Sequence, residues 1–446
     1  MEGIERTKIQ REESVLGNKF VLNSDCFLVK GAKRGAIYDL ATGHIYSINE
    51  DSAKILDKCE NKNSINQIIQ AIPNISPKEI IDYFSSLEGL KLGRFVNENE
   101  TIVKISLFPP ETKLNFIWLE LTRKCNLRCL HCYSNSDSSS NQIKKEELLT
   151  LSQWKKVIQD ASDIGCRRLQ FIGGEPMLFG KDIFDLIKLT RDLGYELIEV
   201  FTNATLLTER DIKLLSKYDV QVAASIYSKN PEVHDKITTK KGSLKKTIKN
   251  IRKLYDYGVK LRLATVIMKQ NEEYIEETLG FLKEFVVLNP RRAFDIVRPT
   301  GRGLKKEILT DKLNLWRLKR KPIFPKITEQ EFIRNKKGHS CWQGKLCVTS
   351  SGLVIPCIMA REEICGSVKD QSLSGIIHSD NLQNSWNLSK DRIEICRDCE
   401  FRYACFDCRP LAKGEIGNLY VQGNNCLYNP YQGEWKDYER KEVRVC

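Results

Sequence analysis

No uninterrupted apolar run in this 446-residue chain approaches the roughly 18 residues that a membrane span requires. The first residues, Met1-Glu2-Gly3-Ile4-Glu5-Arg6, are charged and lack the apolar stretch of a secretory signal. Neither an integral membrane protein nor an exported one is expected, and the cytoplasm is the expected location. Residues 1–110 lack a surplus of bases over acids, so they do not have the charge that phosphate binding needs. Nucleic acid is therefore not an expected partner, despite a formal net charge of +13. With 29% charged and 41% hydrophobic residues the composition is that of a soluble globular protein with room for two or three domains. Cysteine is abundant, at sixteen. In a small secreted chain that number would read as a disulfide framework. Here the cysteines fall into C-x2-C and C-x3-C groups of a long chain, which is the pattern of metal ligation.

The densest chemistry lies in Leu119-Glu120-Leu121-Thr122-Arg123-Lys124-Cys125-Asn126-Leu127-Arg128-Cys129-Leu130-His131-Cys132-Tyr133. An apolar strand pattern breaks there into a loop with cysteines spaced C-x3-C-x2-C. Thiolates select iron–sulfur clusters or zinc. A structural zinc needs a fourth protein ligand, and His131, wedged between two of the cysteines, is badly placed to supply it. Three thiolates can instead hold three irons of a [4Fe–4S] cluster and leave the fourth open. The stretch resembles the radical S-adenosylmethionine (SAM) enzymes, whose hallmark is this spacing at the end of a first barrel strand. The resemblance implies that Cys125, Cys129 and Cys132 are the catalytic cluster ligands and that the open iron chelates the amino and carboxylate groups of SAM.

Residues 1–16 are polar. After them Phe20–Leu22, Cys26–Val29, Ala36–Leu40 and His44–Ile48 read as short strands separated by turn residues. Asn49-Glu50-Asp51-Ser52 reads as a helix start, and helices are expected over Ala53–Cys59, Ser64–Ala71 and Pro77–Leu90. Strands followed by three short helices make a winged-helix-like unit. It resembles the precursor-peptide recognition element at the front of peptide-modifying radical SAM enzymes, where a leader peptide adds a strand to an exposed sheet edge. Cys26 and Cys59 read as buried thiols.

Phe108-Pro109-Pro110 punctuates a linker. Strand and helix patterns then alternate: strand 114–122, helix 151–164, strand 168–172, helix 181–194, strand 196–204, helix 209–217, strand 220–227, helix 243–257, strand 260–269, helix 272–286 and strand 293–298. Six strands with five crossovers imply an α/β fold with a parallel sheet, a partial (β/α)6 barrel with functional residues at the C-terminal strand ends. Those ends carry Gly173-Gly174-Glu175-Pro176, Thr202-Asn203-Ala204, Ser225 and, on strand five, Arg262. Two glycines allow close backbone approach and Glu175 offers an acceptor for a cation. By the resemblance, the Gly-Gly-Glu-Pro segment receives the SAM amino group, Asn203 lies in the family's Thr-Asn-Gly segment (Ala204 replaces the glycine), and Ser225 bonds the ribose or carboxylate. Arg262 is placed by position as a partner of the SAM carboxylate. The backbone of His131 occupies the slot that touches adenine. His234-Asp235 and Lys241-Gly242-Ser243 stand at the family's spacing, and Val297 to Gly303 is expected to help line the cavity.

A second cysteine field comprises Cys341, Cys347, Cys357, Cys396, Cys399, Cys405, Cys408 and Cys426. C-x2-C pairs also serve zinc. Beside the first loop the field resembles the SPASM extension, with x2 instead of the usual x3 between Cys405 and Cys408. That resemblance implies two auxiliary [4Fe–4S] clusters, one on Cys341, Cys347, Cys357 and Cys408, the other on Cys396, Cys399, Cys405 and Cys426. Bound clusters with their thiolates would each add about one or two negative charges to the formal sum. The remaining basic residues are spread along the chain, densest over Arg317–Lys321 and Arg334–Lys337. Cys166, Cys365 and Cys446 are left over. Cys365 is near enough in sequence to be a spare ligand.

The expected organisation is a peptide recognition element over 1–107, a radical SAM barrel over 108–305, a bridging region over 306–335 and a SPASM domain over 336–446. The resemblance implies that a one-electron donor such as flavodoxin or ferredoxin reduces the first cluster. SAM is then cleaved to methionine and a 5′-deoxyadenosyl radical that takes a hydrogen atom from substrate. The expected substrate is a ribosomally made precursor peptide and the expected product a thioether from cysteine sulfur to carbon. Carbon–carbon cross-linking, epimerisation, formylglycine formation of the sulfatase-maturase kind and a non-catalytic peptide-binding scaffold are the alternatives. The intact cluster cysteines and Glu175 speak against the last.

Overall fold

The computed structural model describes residues 16–97, 100, 103–107, 111–139, 147–285, 294–310, 326–423 and 426–435. The first fifteen residues, Phe108-Pro109-Pro110, the basic run 317–321 and Cys446 lie outside the described residues.

The turn-punctuated apolar runs at the front form β1 (Lys19–Leu22), β2 (Cys26–Lys30), β3 (Gly35–Asp39) and β4 (Ile45–Ile48). Three helices follow: α1 (Glu50–Glu60), α2 (Ile65–Ala71) and α3 (Pro77–Gly89). Each start is set by a side-chain cap. Asn49 accepts from Ser52 N, as the helix-start pattern Asn49-Glu50-Asp51-Ser52 leads one to expect, while Ser64 and Ser76 form capping boxes with Gln67 and Glu79. The sequence pattern missed β5 (Gly93–Val96), which pairs antiparallel with β1. Strands β2, β3 and β4 make an antiparallel sheet in that order. One part of its surface packs on the helices through Ile37, Ile55, Leu56, Ile80 and Phe84. Val29, Ala36 and Tyr38 instead pack on Phe332, Phe401, Tyr403 and Tyr428, and Tyr38 Oη donates to Glu400 O at 3.0 Å. Strand β3 is buried throughout for that reason. The front unit is seated on the C-terminal region.

The central region alternates strand and helix. In chain order it contains β6 (Phe116–Thr122), α4 (Leu151–Asp163), β7 (Arg168–Gly173), α5 (Asp182–Asp192), β8 (Leu197–Phe201) and α6 (Glu209–Lys217). Next come β9 (Gln221–Ser225), α7 (Pro231–Thr238), α8 (Ser243–Asp256), β10 (Leu261–Ile267), α9 (Ile275–Leu282) and β11 (Phe294–Ile296). The six strands pair in parallel, each with the next, as the partial barrel requires. Period-two alternation sorts their side chains. Leu119, Leu169, Phe171, Ile198, Val200, Val222 and Leu263 join the core under the helices. Glu120, Gln170, Glu199 and Arg262 alternate with them and face the lumen.

The C-terminal region adds α10 (Glu329–Lys337), β12 (Lys345–Val348), β13 (Leu353–Ile355), β14 (Gly366–Ser367), α11 (Leu373–Ile377), α12 (Asp380–Trp386) and α13 (Arg409–Ile416). A final hairpin pairs β15 (Tyr428–Asn429) with β16 (Glu434–Trp435). Strand β12 lies parallel to β6 with Lys345 opposite Phe116 and Cys347 opposite Trp118. One nine-stranded sheet therefore runs β11-β10-β9-β8-β7-β6-β12-β13-β14 through barrel and C-terminal region alike. Among the described residues no helix is long and apolar enough to cross a membrane.

Candidate active site and cluster ligands

The loop after β6 folds over its own backbone. Cys125 N donates to Asp137 O at 3.1 Å, Cys132 N to Cys129 O at 3.3 Å, and Arg123 Nη2 to Ser134 O at 3.0 Å. Two neighbouring segments hold it. From α7 and the turn behind it, Thr238 O and Ile237 O accept from Arg128 N and Leu130 N at 3.2 and 2.9 Å, on either side of Cys129. From the segment after β11, Arg302 Nε donates to Cys129 O at 2.8 Å, Arg302 Nη2 to Ser136 O at 2.6 Å and Arg302 N to Cys132 O at 2.9 Å. Gly301 permits this approach: at φ +57° a Cβ there would meet the carbonyls of Tyr133 and Cys132.

The strand ends converge on the same loop. Gly174 N donates to Thr122 O at 2.6 Å and Glu175 N to Lys124 O at 2.8 Å. Asn203 Nδ2 donates to Asn126 Oδ1 at 2.9 Å and lies 3.8 Å from Cys125 Sγ. Ser225 closes β9 on the lumen side. His131 stacks edge-on against Tyr227 at 4.9 Å, and burial pushes its imidazole down to about 4, so the ring is neutral.

Two of the expected site residues already have partners within the fold. The Glu175 carboxylate is wholly buried and already accepts from Thr202 Oγ1 at 2.6 Å, Met177 N at 3.0 Å and Asn203 N at 2.8 Å. Burial raises its pKa against those three bonds. The side chain ties the end of β7 to that of β8. Arg262, likewise, already has a carboxylate. It pairs with Glu199 through Nε at 2.8 Å and Nη2 at 2.7 Å, and lies over the Phe201 ring at 5.5 Å.

In the second field the cysteines form two groups by mutual charge. Cys357 feels Cys341 and Cys408, Cys341 feels Cys408, and Cys347 feels Cys357. Cys399 feels Cys405 and Cys426, Cys405 feels Cys426, and Cys396 feels Cys405. All fifteen described cysteines are free thiols. Several accept hydrogen bonds at sulfur. N–H groups donate to the sulfurs of Cys125 (Leu127 N, 3.4 Å), Cys132 (Ser136 N, 3.3 Å), Cys357 (Met359 N, 3.5 Å), Cys408 (Arg298 Nε, 3.3 Å) and Cys426 (Gln422 Nε2, 3.2 Å). Cys26, Cys166, Cys365, Cys405 and Cys426 act as thiol donors to oxygen, Cys426 in addition to its role as acceptor. N–H donors aimed at sulfur suit thiolate ligands of a cluster. Cys365 is 3% exposed within the main core, a packing role in place of a spare ligand. Burial pushes the Cys125, Cys357 and Cys396 thiols up to about 12, so ligation by any of them would have to displace a proton. No three described His, Cys, Asp or Glu side chains converge closely enough for a single metal ion. Thiolates at the corners of a cluster need no such convergence.

Sequence reasoning missed several charged residues that frame these ligands. Glu120, fully buried in β6, forms a two-pronged ion pair with Arg361, whose guanidinium lies 5.9 Å over the Tyr133 ring. A glutamate inside the apolar run Phe116–Leu121 was the available signal. Asp407, between Cys405 and Cys408, accepts from His339 Nε2 at 2.7 Å and pairs with Lys390 and Arg409. Burial alone would raise its carboxyl. Lys390, His339 and Arg409 outweigh burial and hold it well below the usual range. Arg409 Nε is buried without a partner among the described residues, a donor available to a neighbouring sulfur.

Comparisons with known proteins place this geometry. The radical SAM superfamily model matches residues 119–282 and the SPASM iron–sulfur cluster-binding domain model matches 341–400. The chain is 26% identical over 342 residues to an AdoMet-dependent heme synthase of Methanosarcina barkeri, covering 70% of this chain and 95% of that one. It is 25% identical over 410 residues to AlbA of Bacillus subtilis, the antilisterial bacteriocin subtilosin biosynthesis protein, covering 85% and 88%. Among solved structures, Streptococcus suis SuiB bound to S-adenosylmethionine matches with TM-score 0.54 at 17% identity, over 91% of this chain and 99% of that one. The chain is thus a radical SAM barrel continued into a SPASM domain, and these are the domains of [4Fe–4S] clusters and S-adenosylmethionine.

Proposed function

We propose that this protein modifies a ribosomally made precursor peptide, joining a cysteine sulfur to a carbon as a thioether. The observation that carries the peptide reading is the front unit. Among the described residues β4 pairs only with β3, so its outer edge is available for an added strand of leader peptide. The heme synthase match extends over 70% of the chain, whereas the AlbA match extends over 85% and the fold match to SuiB bound to its precursor peptide SuiA over 92%. In this reading residues 1–107 recognise peptide, 108–305 form the barrel, 306–335 a bridge and 336–446 the SPASM domain.

Cys125, Cys129 and Cys132 would hold the catalytic cluster. The two cysteine groups of the C-terminal region would hold one auxiliary cluster each. When bound, cluster and SAM supply reductive cleavage and a carbon radical for hydrogen abstraction. The chain itself supplies position and exclusion of water. Arg302 and α7 fix the cluster loop from two sides, and the Gly173–Glu175 backbone, Asn203 and Ser225 line the strand ends where SAM would lie. Neutral His131 packs the loop without adding charge.

The test is anaerobic reconstitution of wild type and Cys125→Ala/Cys129→Ala/Cys132→Ala, followed by incubation with the precursor peptide. About twelve irons are expected in wild type and about eight in the variant, with SAM cleavage lost in the latter. Mass spectrometry should show peptide lighter by two hydrogens per bond, with one cysteine no longer alkylated. Loss of two hydrogens with every thiol free would mean a carbon–carbon bond. An unchanged mass with an inverted residue would mean epimerisation. SAM cleavage surviving in the variant would refute the assignment.

A further inference from the structure

The stretch Lys236 to Tyr255 contains eight cationic residues and not one acid: Lys236, Lys240, Lys241, Lys245, Lys246, Lys249, Arg252 and Lys253. All but Lys253 are exposed. Within α8 the positions 245, 246, 249, 252 and 253 share one face, since they recur at helical spacing. Among the described residues only Lys253 has an acidic partner, Glu209 at 3.6 Å. Neighbouring surface elements behave differently: Lys156 pairs with Asp160, Lys213 with Glu209, Lys229 with Glu277 and Lys260 with Asp219.

This face works against local stability. Lys245–Lys249 and Lys249–Lys253 are like charges four residues apart, which weakens a helix. Lys245 and Lys246 stand in the first turn of α8, where the helix dipole disfavours cations, and that turn contains no acid. A sequence that breaks local rules without a packing gain marks a functional surface.

Its position identifies the function. The turn carrying Lys240 and Lys241 directly follows the carbonyls of Ile237 and Thr238 that grip Arg128 and Leu130 around Cys129. Thr239 Oγ1 also donates to Arg128 O at 3.2 Å, and the Arg128 side chain is 64% exposed beside this turn. The turn at the start of the cationic face thus touches the loop that carries the catalytic cluster ligands.

We propose that this face docks an acidic, low-potential one-electron donor protein, delivering its electron through the α7–α8 turn to the centre held by Cys125, Cys129 and Cys132. The inference rests on the reading of that loop as a cluster site. Each encounter oxidises the donor by one electron and reduces the centre by one, with no bond made or broken at the interface. Opposed charge on the partner would steer encounter and raise the association rate, with strong dependence on salt.

Stopped-flow reduction of the reconstituted enzyme by reduced flavodoxin tests this, with dithionite as the small-molecule control. The bimolecular rate with flavodoxin should fall steeply in wild type between 50 and 200 mM salt, taken here as roughly the range over which such contacts weaken. It should fall on the order of tenfold or more in Lys240→Glu/Lys241→Glu/Lys245→Glu and in the separate variant Lys249→Glu/Arg252→Glu. Dithionite-driven SAM cleavage and iron content should stay at the wild-type level in both. A wild-type flavodoxin rate insensitive to salt would overturn the proposal without any variant. So would unchanged flavodoxin rates in variants that instead lose affinity for precursor peptide or for a single-stranded oligonucleotide. Failure of dithionite to support SAM cleavage in wild type would refute the cluster-site reading itself.

Discussion

Replacing Gly174 by alanine should disable the catalytic loop without touching a cysteine. A Cβ at Gly174 would point at backbone, not at a side chain that can swing away. It would overlap Lys124 O, and would stand 2.6 Å from the Lys124 carbonyl carbon and 2.9 Å from that of Arg123. Real Cβ atoms essentially never approach within 3.0 Å, and ordinary contact begins at 3.4 Å. Restoring that contact to the Lys124 carbon alone requires 3.4 − 2.6 = 0.8 Å of separation. The strain cannot be shed easily, because Gly174 N and Glu175 N bind Thr122 O and Lys124 O at 2.6 and 2.8 Å. Overpacking of this kind costs about 1–3 kcal/mol. Cys125 is the next residue after Lys124, so the shift reaches the first ligand of the catalytic site. A misplacement near 1 Å can lower a rate about 100-fold. We expect Gly174→Ala to keep the C-terminal clusters, to lose up to about four irons, and to cleave SAM on the order of 100-fold more slowly. Gly89→Ala, where a Cβ meets nothing within 4 Å, is the control and should match wild type. Iron analysis with quantification of 5′-deoxyadenosine decides the matter. Wild-type iron and cleavage within about threefold of wild type in Gly174→Ala would refute the steric reasoning.

Two further outcomes follow from single contacts. Arg298 Nε donates to Cys408 Sγ at 3.3 Å, so Arg298→Gln removes both a charge and a sulfur-directed donor. An EPR-monitored titration should find an auxiliary-cluster potential more negative by roughly 59 mV, a tenfold one-electron change, with Arg298→Lys in between; no shift would detach that residue from the cluster. Burial pushes His234 from 6.5 down to about 4. Its folded pKa lies below its unfolded one, so its contribution is full above pH 6.5 and is lost as pH falls toward 4. At 1.36 kcal/mol per unit the loss totals about 3 kcal/mol, and urea midpoints between pH 7 and 4.5 should flatten in His234→Gln.

The barrel and its loop were legible because their signals are local. Three cysteines within eight residues, two glycines before Glu175 and apolar runs at regular spacing each occupy one short window. What stayed hidden depends on distant partners. Glu120 and Arg361 are 241 residues apart in sequence, and neither reveals the other. The pairing of β12 with β6 brings Lys345 opposite Phe116, a register that no local periodicity encodes. Arg262 belongs with them: its partner Glu199 lies two strands away in the same lumen, a pairing that sequence position does not show. Glu175 shows the same limit: the motif is local, while its partners Thr202 and Asn203 stand at the end of another strand.

The connection between the two cluster regions is tighter than a two-domain description allows. One segment serves both: Arg298 reaches Cys408 in the C-terminal region, and Arg302, four residues on, holds Cys129, Cys132 and Ser136 of the catalytic loop. Four peptide links span at most about 15 Å even when extended, and this segment turns at Gly301, so its two anchor points are closer still. A second connection is the sheet itself, since Cys347 lies in β12 directly beside Trp118 of β6. The buried Glu120–Arg361 pair is a third, and separating its members would strand a charge in the core. Three independent links of different chemistry cannot all accommodate a hinge. The loop after β6 and the C-terminal cysteine field are thus tied together at three places, through side chain to sulfur, strand to strand and a buried ion pair.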